Sequence, residues 1–346
     1  MDSTTLARRH LRLNWIASTT LSLLRAVESA GRSSARTPLK QPEHVATIRD
    51  QARRVTDRLV SASVIESDFW DHLIDEVVSC GNDPALTAQL CEVALLRAGH
   101  SHLQSDQTAA AIFRSLETCR LAFQADSPRL AEQLRLRYAP LKQAYEAYGP
   151  GMLRSIGNQI WNGSPPKDWW PGKATVHAAA PIMTGAAGRS TGQTSVWIEA
   201  VLTDVSPEVP EWLRLVHQLT EMAVETHTRT HASHLGEDPA KSSSSSASEL
   251  PWSLGIVPLI LHQAADRGFI NGSPMPLGTA LRLWQTSDEC STKPRGHVNE
   301  LGAVLDKWWV GVGSQAKAFP IALKQLSEML VTAGLPSTLP SFMEDR

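Results

Sequence analysis

Chemistry in this chain of 346 residues must come from side chains that can hold an anion, attack a carbonyl or bind a metal, and a few stretches supply them. One is Ala187-Gly-Arg-Ser-Thr-Gly192-Gln193-Thr194. It follows the phosphate-loop order of small residue, four spacers, glycine, lysine and hydroxyl residue, except that Gln193 stands where the lysine belongs. Glycines there would let backbone N–H groups approach a phosphate, and Thr194 would reach magnesium, but Gln193 brings no charge to the β- and γ-phosphates. Gly188-Arg-Ser190-Thr-Gly192 is also formally G-x-S-x-G. Both patterns require a helix directly afterwards, whereas Thr194–Val205 alternates like a strand, so a flexible turn is the plainer expectation.

The second stretch is His217-Gln-Leu-Thr-Glu221. On a helix, a histidine and a carboxylate four residues apart share a face. With an extended segment before it, the helix resembles the metal-bearing helix of zinc metallopeptidases, whose H-E-x-x-H pattern carries two ligands and a general base. That resemblance implies a divalent metal such as zinc and a hydrolytic activity. It covers about a sixth of the chain, and two positions depart from it. Gln218 replaces the general base and Glu221 the second histidine, and a glutamine cannot take a proton from a metal-bound water. Downstream, His227, His231 and His234 fall at i, i+4 and i+7, a third candidate site and a second metal face if the helix persists. Three ligands from one helix rarely close a tetrahedral site, so a solvated polar face is the competing expectation. His100 and His102, or Cys290 with His297, have no partner at a useful spacing.

The elements that would position these residues are mostly helices. Apolar periodicity predicts helices over Val45–Val64, Phe69–Val78, Leu86 to Gly99, Asp106 to Leu121, and Leu130 to a stop at Gly149-Pro150-Gly151. Leu6, Leu13, Ala17, Leu21 and Leu24 predict one more at the N-terminus, in preference to a signal or transit segment. Asp83-Pro84 reads as a helix start. Beyond Trp169-Trp170-Pro171 the chain turns β-rich. Ala174–Met183 and Thr194–Val205 are expected to form a long hairpin, with Val196 and Ile198 inward and Glu199 outward. Helices then return at Trp212 onward, Val257–Arg267, Leu277–Gln285, Val298–Trp309 and Ala316–Ala333.

The expected fold is therefore α+β and predominantly helical, an N-terminal helical bundle followed by a β-hairpin or small antiparallel sheet packed on several helices. The expected division is 1–150 and 165–333, with a disordered serine-rich loop at 236–250 and a loose tail at 334–346. Apolar residues make up 42% of the chain and charged residues 20%, enough for a core and too apolar for global disorder. A net charge of -2 offers no basic footprint for nucleic acid. No stretch has the roughly 20 apolar residues of a membrane span. Four cysteines without a Cys-x-x-Cys pair fit a reducing, cytoplasmic setting. Among 11 tryptophans stand two doublets, Trp169-Trp170 and Trp308-Trp309, and neighbours cannot both face inward on regular structure. That makes the doublets candidate contacts, either with protein partners or within the chain. The function expected is that of a non-enzymatic scaffold or interaction protein of the bacterial or organellar interior, without a cofactor. The alternative is a metal-dependent hydrolase, active or inactive, with a degenerate peptidase-like helix.

Overall fold

The fold is taken from a computed structural model that describes residues 11–32, 42–182, 186–204, 206–234, 250–270, 275–284, 296–312, 314 and 318–337; the side chains of 229–234, 284, 296 and 297 are outside that description. The protein is a predominantly helical α+β structure. A mixed sheet in the order β1-β2-β4-β3 comprises β1 (Arg12–Ala17), β2 (Lys173–Ala179), β3 (Ala187–Arg189) and β4 (Ser195–Glu199). Helices α1 (Thr19–Arg32), α2 (Glu43–Ser61), α3 (Glu66–Ser79), α4 (Ala88–Arg97) and α5 (Ser105–Asp126) lie on one side. On the other side are α6 (Leu130–Ile160), α7 (Glu211–His234), α8 (Trp252–Asp266), α9 (Leu277–Trp284), α10 (Gly296–Gly311) and α11 (Phe319–Thr332).

Most expected helices stand where periodicity puts them, and the sheet differs in three respects. First, Arg12–Ala17 is a strand and the helix begins only at Thr19. Trp15 and Ile16 suit a pleated surface, and Ser18-Thr19-Thr20 forms the helix start. Asp83 caps that helix from 64 residues away: its carboxylate accepts from Thr19 N–H at 2.9 Å, the Thr19 hydroxyl at 2.7 Å and Thr20 N–H at 3.2 Å. Asp83 thus starts α1 rather than α4, whose cap is Thr87. Second, the two β-rich runs do not form a hairpin. β2 pairs parallel with both β1 and β4, and the segment between β2 and β4 supplies β3, which runs antiparallel to β4. The run Ala174–Ala180 is apolar almost throughout, as a central strand covered on both faces must be. Third, Glu199 is fully buried rather than outward.

Two cores meet at the sheet. Val176, Val196 and Ile198 point into the larger one with α6 to α11, whereas Ala179 and Trp197 point into the one formed by α1 to α5. Helix α6 begins before residue 150, continues through Pro140 and Pro150, and packs into the larger core. The carbonyls that those prolines leave without donors belong to Leu136 and Glu146, both exposed residues of the helix. Trp169, Trp308 and Trp309 lie inside the cores and Trp170 is half-buried. The Trp308 indole N–H donates to the Ala322 carbonyl at 2.8 Å. The doublets therefore pack within the chain. Leu335 is buried as well, so the ordered part runs past the expected tail boundary at 334, while the serine-rich stretch 236–249 lies outside the described residues.

Candidate functional site

The edge strand β3 and helix α7 bring the sequence candidates together. β3 is held against β4 with Gly188 opposite Trp197. A Cβ on Gly188 would come within 2.6 Å of the Trp197 indole nitrogen, so the strand can lie this close only as glycine. The Arg25 guanidinium lies over the same indole, 5.0 Å from the ring centroid. Arg189 then leaves β3 toward α7. Its Nη1 lies 3.3 Å from Glu221 Oε2 and its Nε 3.1 Å from Glu225 Oε2. His217, Glu221 and Glu225 succeed one another at four-residue steps on this face of α7.

The turn after β3 is engaged in the same way. Thr191 N–H donates to Asp75 Oδ1 at 2.7 Å and Gly192 N–H to Glu225 Oε1 at 3.2 Å. The Ser190 hydroxyl donates to Asp75 Oδ1 at 2.7 Å and lies 2.6 Å from the Ser79 hydroxyl. Amides that could have cradled a phosphate thus hold the protein's own carboxylates. The turn joins two strands, so neither a phosphate loop nor a nucleophile elbow is present there.

His217 is 1% exposed. Its Nε2 donates to the Ser253 carbonyl at 3.0 Å, which leaves Nδ1 to accept from the Gln218 amide at 3.2 Å, with Glu221 Oε2 at 3.6 Å. As folded, both ring nitrogens are engaged by the protein. His227 faces elsewhere. Its ring packs edge-to-face on Trp161 and Trp169, with centroids 5.0 and 5.5 Å apart. The side chains of His231 and His234 lie outside the described residues. Of the five candidate ligands, then, His217 and Glu221 adjoin and His227 stands apart. Among the described residues no three His, Cys, Asp or Glu side chains converge on a metal position.

Sequence reasoning missed the buried charges. Glu211 and Arg214 pair at 2.9 Å near the start of α7, and Arg214 Nη2 donates to the Leu283 carbonyl at 3.0 Å. Burial pushes the Glu211 carboxyl up to about 6 against the pull of Arg214. Arg25 pairs with Glu28 in α1, both fully buried. His177, in the middle of β2, is fully buried, and burial drives its imidazole down to about 4. No motif marks these residues. The one available signal was an arginine inside the apolar stripe of Leu21, Leu24 and Val27.

Sequence comparison with family models and with curated proteins, and structural comparison with solved structures, return no match to this chain.

Proposed function

We propose that the chain is a non-enzymatic interaction or scaffold protein of a reducing, cytoplasmic-type interior. The observation that carries this reading is the closure of the α7 face. Arg189 neutralises Glu221 and Glu225, and the Ser253 carbonyl and Gln218 engage His217. Removing the Arg189 guanidinium would leave the buried Glu221 and the half-buried Glu225 without their shared cation, so the arrangement is stable as it stands rather than poised to admit a reactant. The unbridged thiols Cys80, Cys91 and Cys119 support the reducing setting, with burial pushing Cys91 and Cys119 up to about 12 and away from reactivity. No helix among the described residues is long and apolar enough to cross a membrane. The test pairs metal analysis of tag-free protein with an assay on protein and ester substrates. Less than about a tenth of an equivalent of zinc, iron or manganese, and no chelator-sensitive hydrolysis, are expected. One equivalent of metal with chelator-sensitive turnover would overturn the reading.

A metal-dependent hydrolase is the second reading. It is supported by the antiparallel edge strand β3 lying beside a helix with His217 and Glu221 one turn apart. In that reading Arg189 occupies the place of a metal ion, and His217 and Glu221 are what persists of a ligand set. The same metal analysis decides between the two.

A further inference from the structure

We propose that the free edge of β1 is where two copies of this chain join, strand to strand and antiparallel, into one continuous sheet. The proposal is independent of how the α7 face is read. In the parallel ladder, Arg12 N–H donates to the Gly172 carbonyl and Ser18 N–H to the Ala178 carbonyl. The same register assigns the peptide groups of Asn14 and Ile16 to β2 as well. Leu13, Trp15 and Ala17 therefore direct their N–H and C=O groups away from the sheet, and no described residue pairs with them. The exposure pattern agrees. No residue of β1 is buried, with Arg12 and Asn14 exposed and the other four half-buried, whereas every residue of β4 and most of β2 is buried.

The two edges of the sheet are treated differently. β3 is three residues long, and Asp75 and Glu225 pin the turn that follows it. β1 is six residues long and carries neither proline nor any charge after Arg12, so it lacks the devices that keep an edge from pairing. An antiparallel copy centred on Trp15 satisfies all three outward peptide groups with six hydrogen bonds: Leu13 meets Ala17 of the second copy, Trp15 meets Trp15, and Ala17 meets Leu13. In that register Arg12 lies opposite Ser18 of the second copy, and no like charges meet. The half-buried Trp15, stacked on Tyr138 at 5.3 Å, gains an aromatic neighbour across the junction. The pairing is two-fold and closed, and it leaves only the short β3 edges at the ends of the sheet. The chemistry that fits β1 best is thus its own.

Sedimentation of the full chain over a dilution series tests this. The wild type is expected to be a dimer. Leu13→Pro removes two of the six intermolecular bonds and none within the chain, because the Leu13 N–H faces away from β2. It should weaken dimerisation at least about tenfold with the melting temperature of the monomer unchanged. A synthetic peptide of Leu11–Ser18 in excess should split the wild-type dimer, and this arm decides the matter if the proline variant fails to fold. A wild type that is monomeric at about 100 µM overturns the proposal, whether or not it binds the peptide. A dimer that resists the peptide overturns it too.

Discussion

Replacing His177 with leucine should remove a dependence on acidity that the fold carries. The imidazole sits fully buried in the central strand, where neither ring nitrogen finds a well-formed hydrogen bond. Burial lowers its folded-state value from 6.5 to about 4, while the Asp83 carboxylate and the Val78 backbone pull the other way. Because the folded value is depressed, the unfolded chain binds a proton that the folded chain refuses in the window from 6.5 down to about 4. Stability is therefore complete above the unfolded value and is lost as pH falls. Linkage makes this loss about 2 kcal/mol between about pH 7.5 and about pH 5. Other groups titrate in this range with the opposite sign. Glu211, raised by burial to about 6, loses stability as pH rises through that value. Asp71, raised to about 7 by burial and Glu28 despite one exposed flank, does the same. The quantity to measure is thus the unfolding free energy of wild type minus His177→Leu, from urea titrations across that range, in which the shared groups cancel. The difference should shift toward the variant by about 2 kcal/mol on acidification. A difference flat to within about 0.5 kcal/mol would refute the reasoning, because it would mean that the folded imidazole takes its proton as easily as the unfolded one.

Asp83→Ala should uncap α1 and release four hydrogen bonds at once, including that of the Ser18 hydroxyl at 2.9 Å; a cost of about 2 kcal/mol in thermal or urea unfolding is expected, partly restored by Asp83→Asn. Gly302→Ala should be worse than an ordinary helix-surface change. Its Cβ would meet the Gly278 Cα at 2.2 Å, a backbone atom that cannot swing aside, so α9 and α10 must separate, and a loss of about 1–3 kcal/mol should accompany a lower melting temperature.

The helices were legible because each has an apolar stripe of its own, as Leu90, Ala94 and Leu95 show in α4. What failed to show were features that depend on a distant partner. Arg12–Ala17 has the apolar content of either a strand or a first helical turn, and only its pairing with Lys173–Ala178 decides the matter. Pro150 reads as a stop because the sequence does not reveal that Glu146, whose carbonyl it leaves without a donor, lies on the exposed side of a helix that the core holds together. The parallel pairing of β2 and β4 was hidden by the habit of joining two nearby strands as a hairpin. The run Ala174–Ala180, apolar except for Thr175 and His177, was the clue to a central strand. At the candidate site, the adjacency of His217 and Glu221 followed from helical spacing alone. The residues that close it, Arg189 and Ser253, lie 28 positions before and 36 after His217 and carry no pattern that points to it.

The parallel pairing of β1 with β2 also sets an order of events during synthesis. Arg12 waits for Lys173, 161 positions later. At about 5–20 residues per second, the ribosome needs on the order of 10–30 s to deliver that partner. Helices α1 to α5, whose contacts are largely among themselves, are complete well before then. Strand β1 is thus placed only after helices α1 to α5, and the nascent chain carries Trp15 and Ile16 unpaired while those five helices assemble. Until β2 emerges, Leu11–Ala17 is a short, largely apolar segment with no strand of its own sheet to pair with, and β2 then satisfies the peptide groups of one of its two edges.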